Sequence, residues 1–193
     1  MFIDKIVGKK KEKNDALVFS EKLEEMFGKE DIIRKIECPN GGTPIHVFYY
    51  YNFPEEGLIT SVTYGLSEGN HPQWKLGRPE LIVTLDSKDE SWGFASAYFA
   101  ASFRGEKKFS YGDLFTLDEP ISKESDMVGY FIFAPSFLNQ EQATIQLPTK
   151  TVHLVGMYPL YKEEIELYYK IGLKDFWHLD GFDMYNIGRK NLG

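Results

Sequence analysis

The stretch from Pro44 to Phe53 constrains this chain more than any other. Ile45, Val47, Tyr49 and Tyr51 alternate with His46, Phe48 and Tyr50, and successive side chains of a strand point to opposite faces. Both sets are largely apolar or aromatic, so the segment reads as a strand buried, at least in part, on both faces. Further strands are expected at Ile32–Ile36, before a Pro39-Asn40-Gly41-Gly42 turn, and at Leu58–Tyr64 and Glu80–Leu85. Phe115–Leu117, Met127–Phe133, Thr144–Leu147 and Thr151–Met157 carry the same β-branched and aromatic character.

Three helices accompany them. Asp15 is a candidate N-cap for a run in which Leu17, Leu23, Met26 and Phe27 follow helical spacing, and Gly28 ends it. Ser91 is a candidate N-cap for Trp92–Phe103, whose alanines and aromatics would bury most sides of a helix against a sheet, with Gly105 as its stop. A third helix runs from Tyr161 to Ile171, with Ile165, Tyr168 or Tyr169, and Ile171 as its apolar stripe and Gly172 as its stop. Strands outnumber helices and arrive in groups, which disfavours a doubly wound parallel sheet. The expected class is α+β: one domain over residues 1–193, a mostly antiparallel or mixed sheet with about three packing helices, and residues 1–14 as a flexible lead-in.

Composition narrows the function. With 42% hydrophobic residues and 15 Phe, 12 Tyr and 3 Trp among 193 residues, a core is available and disorder is excluded as the main state. Lys and Arg number 22 against 29 Asp and Glu, a net charge of −7, which disfavours nucleic acid and anionic membranes as direct partners. The one dense basic run, Lys9–Lys13, reads as a solvated lead-in. The single cysteine, Cys38, excludes an internal disulfide and points to a cytoplasmic protein with a strand-end thiol. The N-terminal residues lack a signal-like apolar run, and Phe94–Phe103 falls short of the roughly 20 apolar residues that span a bilayer.

Motifs for chemistry are weak. Gly65-Leu66-Ser67-Glu68-Gly69 matches G-x-S-x-G, but Asn70, Pro72, Gly77 and Pro79 oppose the helix a nucleophile elbow requires. A serine hydrolase on Ser67 is therefore the lesser alternative, and Gly65, Leu66 and Ser67 are expected to be a structural turn. His46, His71, His153 and His178 are scattered without metal-ligand spacing. Asp86, Asp89 and Glu90 lack the ligand pattern of a calcium loop and read as a solvated turn. No phosphate-binding glycine loop is present, so no metal, nucleotide or other cofactor is expected.

The segments LITSVTYGLSE (58–68) and RPELIVTL (78–85) resemble the signature of the suppressor-of-fused domain family. The likeness continues through WGFASAYFAASF (92–103), the Gly112-Asp113 step, VHLVGMYPLYKEEIELYYKIG (152–172) and DMYNIGR (183–189). The resemblance implies a non-enzymatic α+β binding domain. Two-domain animal members grip a short peptide, whereas single-domain bacterial members of this length look like immunity proteins; the chain is similar to Bacillus antitoxins that neutralise DNA-cleaving toxins with an LXG export domain. Asp113 and Tyr98 match peptide-binding positions of the animal members, and no catalytic residue is carried over. The implied function is neutralisation of a cognate protein toxin, a DNase, by stoichiometric binding, with a regulatory peptide binder as the alternative. A net charge of −7 suits an inhibitor drawn to a basic DNA-binding cleft.

Overall fold

The computed structural model describes residues 14–39 and 41–193. The expected lead-in, with the Lys9–Lys13 run, lies outside them except for Asn14, as does Asn40 of the Pro39–Gly42 turn. In chain order the elements are α1 (Asp15–Phe27), β1 (Ile32–Ile36), β2 (Ile45–Tyr51), β3 (Leu58–Tyr64), β4 (Arg78–Asp86), α2 (Ser91–Phe103), β5 (Leu114–Thr116), β6 (Gly129–Phe133), β7 (Thr144–Gln146), β8 (Thr151–Leu160) and α3 (Lys162–Trp177). All eight strands join one mixed sheet in the order β1-β2-β3-β4-β8-β6-β5, and β7 pairs with the start of β8. The α+β expectation holds. Every pairing is antiparallel but one: β4 and β8 run parallel, from Arg78 opposite Val152 to Ile82 opposite Gly156.

Side-chain alternation decides which helix covers which face. Ile45, Val47 and Tyr49 of β2, Leu81, Val83 and Leu85 of β4, and Val155 and Met157 of β8 pack with α2. Phe48, Tyr50, Ile82, Val152 and Leu154 pack on the other side with Phe19, Leu23 and Phe27 of α1. Farther along that side, Phe131, Tyr158 and Leu160 pack with Tyr168 and Phe176 of α3. Helices on both faces are why β2 is apolar on both faces, though His46 and Tyr51 are only half-buried.

Several helix boundaries differ from the reading of the sequence. Asn14, not Asp15, caps α1: its side chain accepts the Leu17 amide at 2.9 Å. Asp15 instead accepts the Thr149 amide at 3.0 Å and lies 3.1 Å from the Lys150 ammonium. Lys150 also reaches Glu68 at 2.6 Å, so one half-buried cation ties α1 to the β7–β8 turn and to the residues after β3. In α2, Ser91 is the first helical residue rather than the cap, and its amide donates to Asp89 at 2.9 Å. Gly172, at φ 79°, breaks α3 but does not end it; the continuation to Trp177 places Phe176 in the core. Tyr168 is the buried member of the apolar stripe, and Tyr169 is exposed.

The acidic turn before α2 is also more engaged than expected. Asp86 is exposed, but the Ser122 hydroxyl donates to Asp89 at 2.6 Å, and Arg34 and the Tyr51 hydroxyl donate to Glu90 at 2.7 and 2.8 Å. Cys38 lies just past β1, as a strand-end thiol donating to the Thr43 carbonyl at 3.3 Å.

Candidate functional site

The Gly65-Leu66-Ser67 segment is held from both sides. Gly65 takes φ 129°, where a side chain is strained and a Cβ would come within 2.7 Å of the Pro44 carbonyl. A single 3-10 turn, Leu66–Glu68, follows. The fully buried Glu80 carboxylate accepts the Gly65 and Ser67 amides at 2.8 and 2.9 Å and the Thr63 hydroxyl at 2.7 Å. Burial pushes the Glu80 carboxyl up, and these donors oppose the shift. On the carbonyl side, Arg78 donates to Ser67 and Gly69 at 2.9 Å each, and Arg104 to Gly65 at 3.1 Å. The paired segments LITSVTYGLSE and RPELIVTL are thus physically one unit, with Arg78 and Glu80 of the second clamping the turn of the first.

That clamp leaves Ser67 inside the protein. The residue is 0% exposed, whereas a nucleophile must meet both a base and substrate. The Ser67 amide makes a structural bond to the Glu80 carboxylate. His153 faces Thr144 and the Leu76 carbonyl, His178 faces Lys174, and His71 packs on Trp74. Among the described residues no three His, Cys, Asp or Glu gather as a metal site, and no helix is long and apolar enough to cross a membrane.

A second internal tie links α3 to the DMYNIGR segment. Arg189 and Glu164 form a buried ion pair, with side chains 3% and 0% exposed. Arg189 donates through its second nitrogen to Glu164 at 2.8 Å and to the Pro159 carbonyl at 3.2 Å, and lies 5.0 and 5.4 Å from the ring centres of Phe182 and Tyr161. Glu164 also accepts the Tyr161 and Leu192 amides at 3.0 Å each.

Asp113 stands at the entrance to β5. The Asp113 amide donates to the Ser110 carbonyl at 2.9 Å across a turn whose third residue, Gly112, has φ 91°. Gly112 donates to the Ile132 carbonyl at 2.8 Å, while the Ile132 amide donates to the Asp113 carbonyl at 2.9 Å. Two residues therefore oppose one, a glycine bulge that starts the edge strand. The Asp113 carboxylate accepts the Ser110 amide at 2.9 Å and lies 3.8 Å from Lys108. A cleft of about 470 Å³ opens beside it, lined by His71, Lys107, Lys108, Phe115 and Tyr169.

Tyr98 lies at the other end of β5. On α2 only Phe94 and Tyr98, one turn apart, are strongly exposed, at 53% and 46%. With Ala95, Leu117 and Ile121 they line a mostly apolar cleft of about 280 Å³, and Leu117 is the residue after β5. The two sequence-nominated residues are thus not in one pocket but flank one strand. Among the described residues β5 is the last strand of the sheet and pairs only with β6. Since Asp113 and Leu117 bond toward β6, antiparallel alternation turns the backbone groups of Leu114 and Thr116 outward. No described residue pairs with them. Phe94, Leu117 and Ile121 were missed in the sequence; the i, i+4 spacing of Phe94 and Tyr98 was the one available signal.

The family model for suppressor of fused protein matches residues 41–190. No curated protein matches the chain. Solved structures share the fold at low identity. A protein described as a suppressor-of-fused homologue from Neisseria gonorrhoeae superposes with a TM-score of 0.65 at 15% identity, over 92% of this chain and 95% of that one. A chain from the crystal structure of the Sufu–Fu complex gives 0.63 at 12% identity, over 92% and 91%. Drosophila Suppressor of Fused gives 0.62 at 14% identity over 91% of this chain, which spans 50% of the Drosophila chain.

Proposed function

Because this chain belongs to the suppressor of fused family, we propose that it works by stoichiometric protein binding, with the free edge of β5 and its two flanking clefts as the partner surface. The observation that carries this reading is the outward-facing backbone of Leu114 and Thr116 beside two exposed aromatics, Phe94 and Tyr98. An extended partner segment gains main-chain hydrogen bonds along such an edge and specificity from pockets for its side chains. Tyr98 supplies rigid aromatic area at one end, and Asp113 a hydrogen-bond acceptor at the other. The Sufu–Fu complex supplies a fold neighbour engaged with another protein.

The partner we propose is a cognate protein toxin, a nuclease, which the chain neutralises in the cytoplasm as an immunity protein. No catalysis and no cofactor are involved. The net charge of −7 supports this reading, since a DNA-cleaving enzyme presents a basic cleft that an acidic inhibitor is steered toward. The test is co-expression with the toxin encoded beside this gene. Asp113→Lys, Tyr98→Ala and Thr116→Pro, each first shown to be folded, are expected to lose protection and complex formation. Thr116→Pro removes only an outward N–H and leaves the bonds to β6 in place. Full protection and wild-type binding by all three would refute this surface.

A further inference from the structure

We infer that the Tyr98 end of the β5 edge, not the Asp113 end, is the charge-reading half of the surface, and that it takes a basic, extended partner segment that inserts one apolar side chain between Phe94, Tyr98, Leu117 and Ile121. The inference rests on the protein-binding reading and assigns the chemistry of the partner.

The charges along the edge are strongly uneven. Residues 86–91 carry Asp86, Asp89 and Glu90 against Lys88, and residues 117–126 carry Asp118, Glu119, Glu124 and Asp126 against Lys123. Their balances of −2 and −3 account for five of the chain's seven excess negative charges. The two segments form one rim, because Ser122 donates to Asp89 at 2.6 Å and Ser87 donates to Glu124. This rim borders the apolar cleft directly: Ser91, Leu117 and Ile121 line it, and Asp118 and Glu119 are exposed between the last two. α2 itself carries no charge, so its exposed ring pair forms an apolar floor beside an acidic wall. Arg34 reaches into the rim from β1 and is bonded to Glu90.

The opposite end has the other sign. Arg104, Lys107 and Lys108 outnumber Glu106 and Asp113 across residues 104–113. The Asp113 carboxylate is already engaged by the Ser110 amide, with Lys108 beside it. Charges farther apart than a Debye length of about 8 Å at physiological salt are largely screened, so a partner responds to the local rim and not to the total of −7. An acidic wall next to an apolar cleft of about 280 Å³ suits cations flanking one aliphatic or aromatic side chain. A segment of this kind can continue along Thr116 and Leu114 by backbone pairing.

The test is titration of the ¹⁵N-labelled protein with the peptide acetyl-Lys-Thr-Lys-Leu-Lys-Thr-Lys-amide and with its counterpart bearing glutamates for lysines. The basic peptide is expected to shift Phe94, Tyr98 and the 117–121 resonances, and to weaken several-fold between about 20 and about 150 mM salt. Tyr98→Ala should cost about tenfold or more in affinity. Asp118→Asn/Glu119→Gln should cost roughly five- to tenfold and flatten the salt dependence, whereas Glu24→Gln/Glu25→Gln, exposed on α1 on the other face of the sheet, should stay within about twofold. Each variant's unshifted resonances far from β5 establish that it is folded. Equal binding of the acidic peptide, or no basic-peptide binding up to about millimolar, overturns the inference. Equal losses in the Glu24/Glu25 and Asp118/Glu119 variants also overturn it, while the protein-binding reading stands or falls separately in the co-expression assay.

Discussion

Replacing Arg189 with methionine should be among the most damaging single changes this fold can suffer. Methionine is unbranched and close to the aliphatic reach of arginine, so it keeps contact with Tyr161 and Phe182 while removing the charge. What it leaves behind is a Glu164 carboxylate with 0% exposure, holding two backbone amides but no cation. The Pro159 carbonyl loses its guanidinium donor as well. Breaking a buried pair from one side costs about 3–5 kcal/mol, because the remaining charge is stranded out of water. Against a typical stability of about 5–15 kcal/mol that is a fifth or more of the whole. With a urea m-value of about 2 kcal/mol/M, the unfolding midpoint should fall by about 1.5–2.5 M. Adding Glu164→Gln to Arg189→Met removes the stranded charge and should recover part of the loss, since the amide oxygen still accepts one of the two backbone bonds. A midpoint shift under about 0.5 M for Arg189→Met, or no recovery in the double variant, would show that burial of this pair is not what makes Arg189 matter.

Three further outcomes follow from the packing and the clamps. Phe99 is 1% exposed among Phe103, Phe115 and Tyr130, so Phe99→Ala should cost about 3–5 kcal/mol in chemical denaturation; a negligible shift would place the ring outside the core. Ser67→Ala deletes a buried hydroxyl but keeps the amide bond to Glu80, so stability should change by about 1 kcal/mol or less; an ester-hydrolysing activity lost on this change would contradict the binding reading. The third concerns acid. Burial pushes the Asp15 and Glu68 carboxyls up, but their bonds to Thr149 and Lys150, and to Lys150 and Tyr64, win and hold both below the ordinary carboxylate range. Groups with lowered folded pKa values stabilise the fold above their unfolded values, near pH 4, and that stability is lost as pH falls through the folded ones. Lys150→Met should therefore be less stable than wild type at neutral pH and show a shallower loss from about pH 5 to about pH 3. An unchanged acid slope would mean that Lys150 does not set these carboxyls.

Much of this architecture was legible because it is written locally. The alternation in β2, the β-branched character of β3 and the alanine–aromatic run of α2 each need only a few neighbouring residues to be read. Pairings between distant segments have no such trace. Nothing near Glu80 announces that its carboxylate turns inward to hold residues 65–67; a lone acid inside an apolar strand was the only hint. Asp113 and Tyr98 were named by family resemblance, but their separation by the length of β5 depends on how α2 crosses the sheet. The engagement of Asp113 by Ser110 and the gathering of Leu117 and Ile121 around Phe94 are tertiary facts of the same kind. Helix caps slipped by one residue, at Asn14 for Asp15 and ahead of Ser91, because neighbouring polar residues there are all competent caps.

The parallel pairing of β4 with β8 also sets the order in which the molecule can be assembled in time. β4 ends at Asp86 and its partner does not begin until Thr151, so the ladder that joins the β1–β4 half of the sheet to β6 and β5 closes a loop of tens of residues. Such long-range closure slows folding relative to local hairpins. On a ribosome, β1 to β4 can zip as successive antiparallel neighbours while β8 is still unmade, leaving the Leu81–Val83 edge open to other chains. β6 waits for the same strand, since β8 lies between it and β4. Until residues 151–160 are made, the Leu81–Val83 edge has no strand to pair with, and their pairing is what guards it.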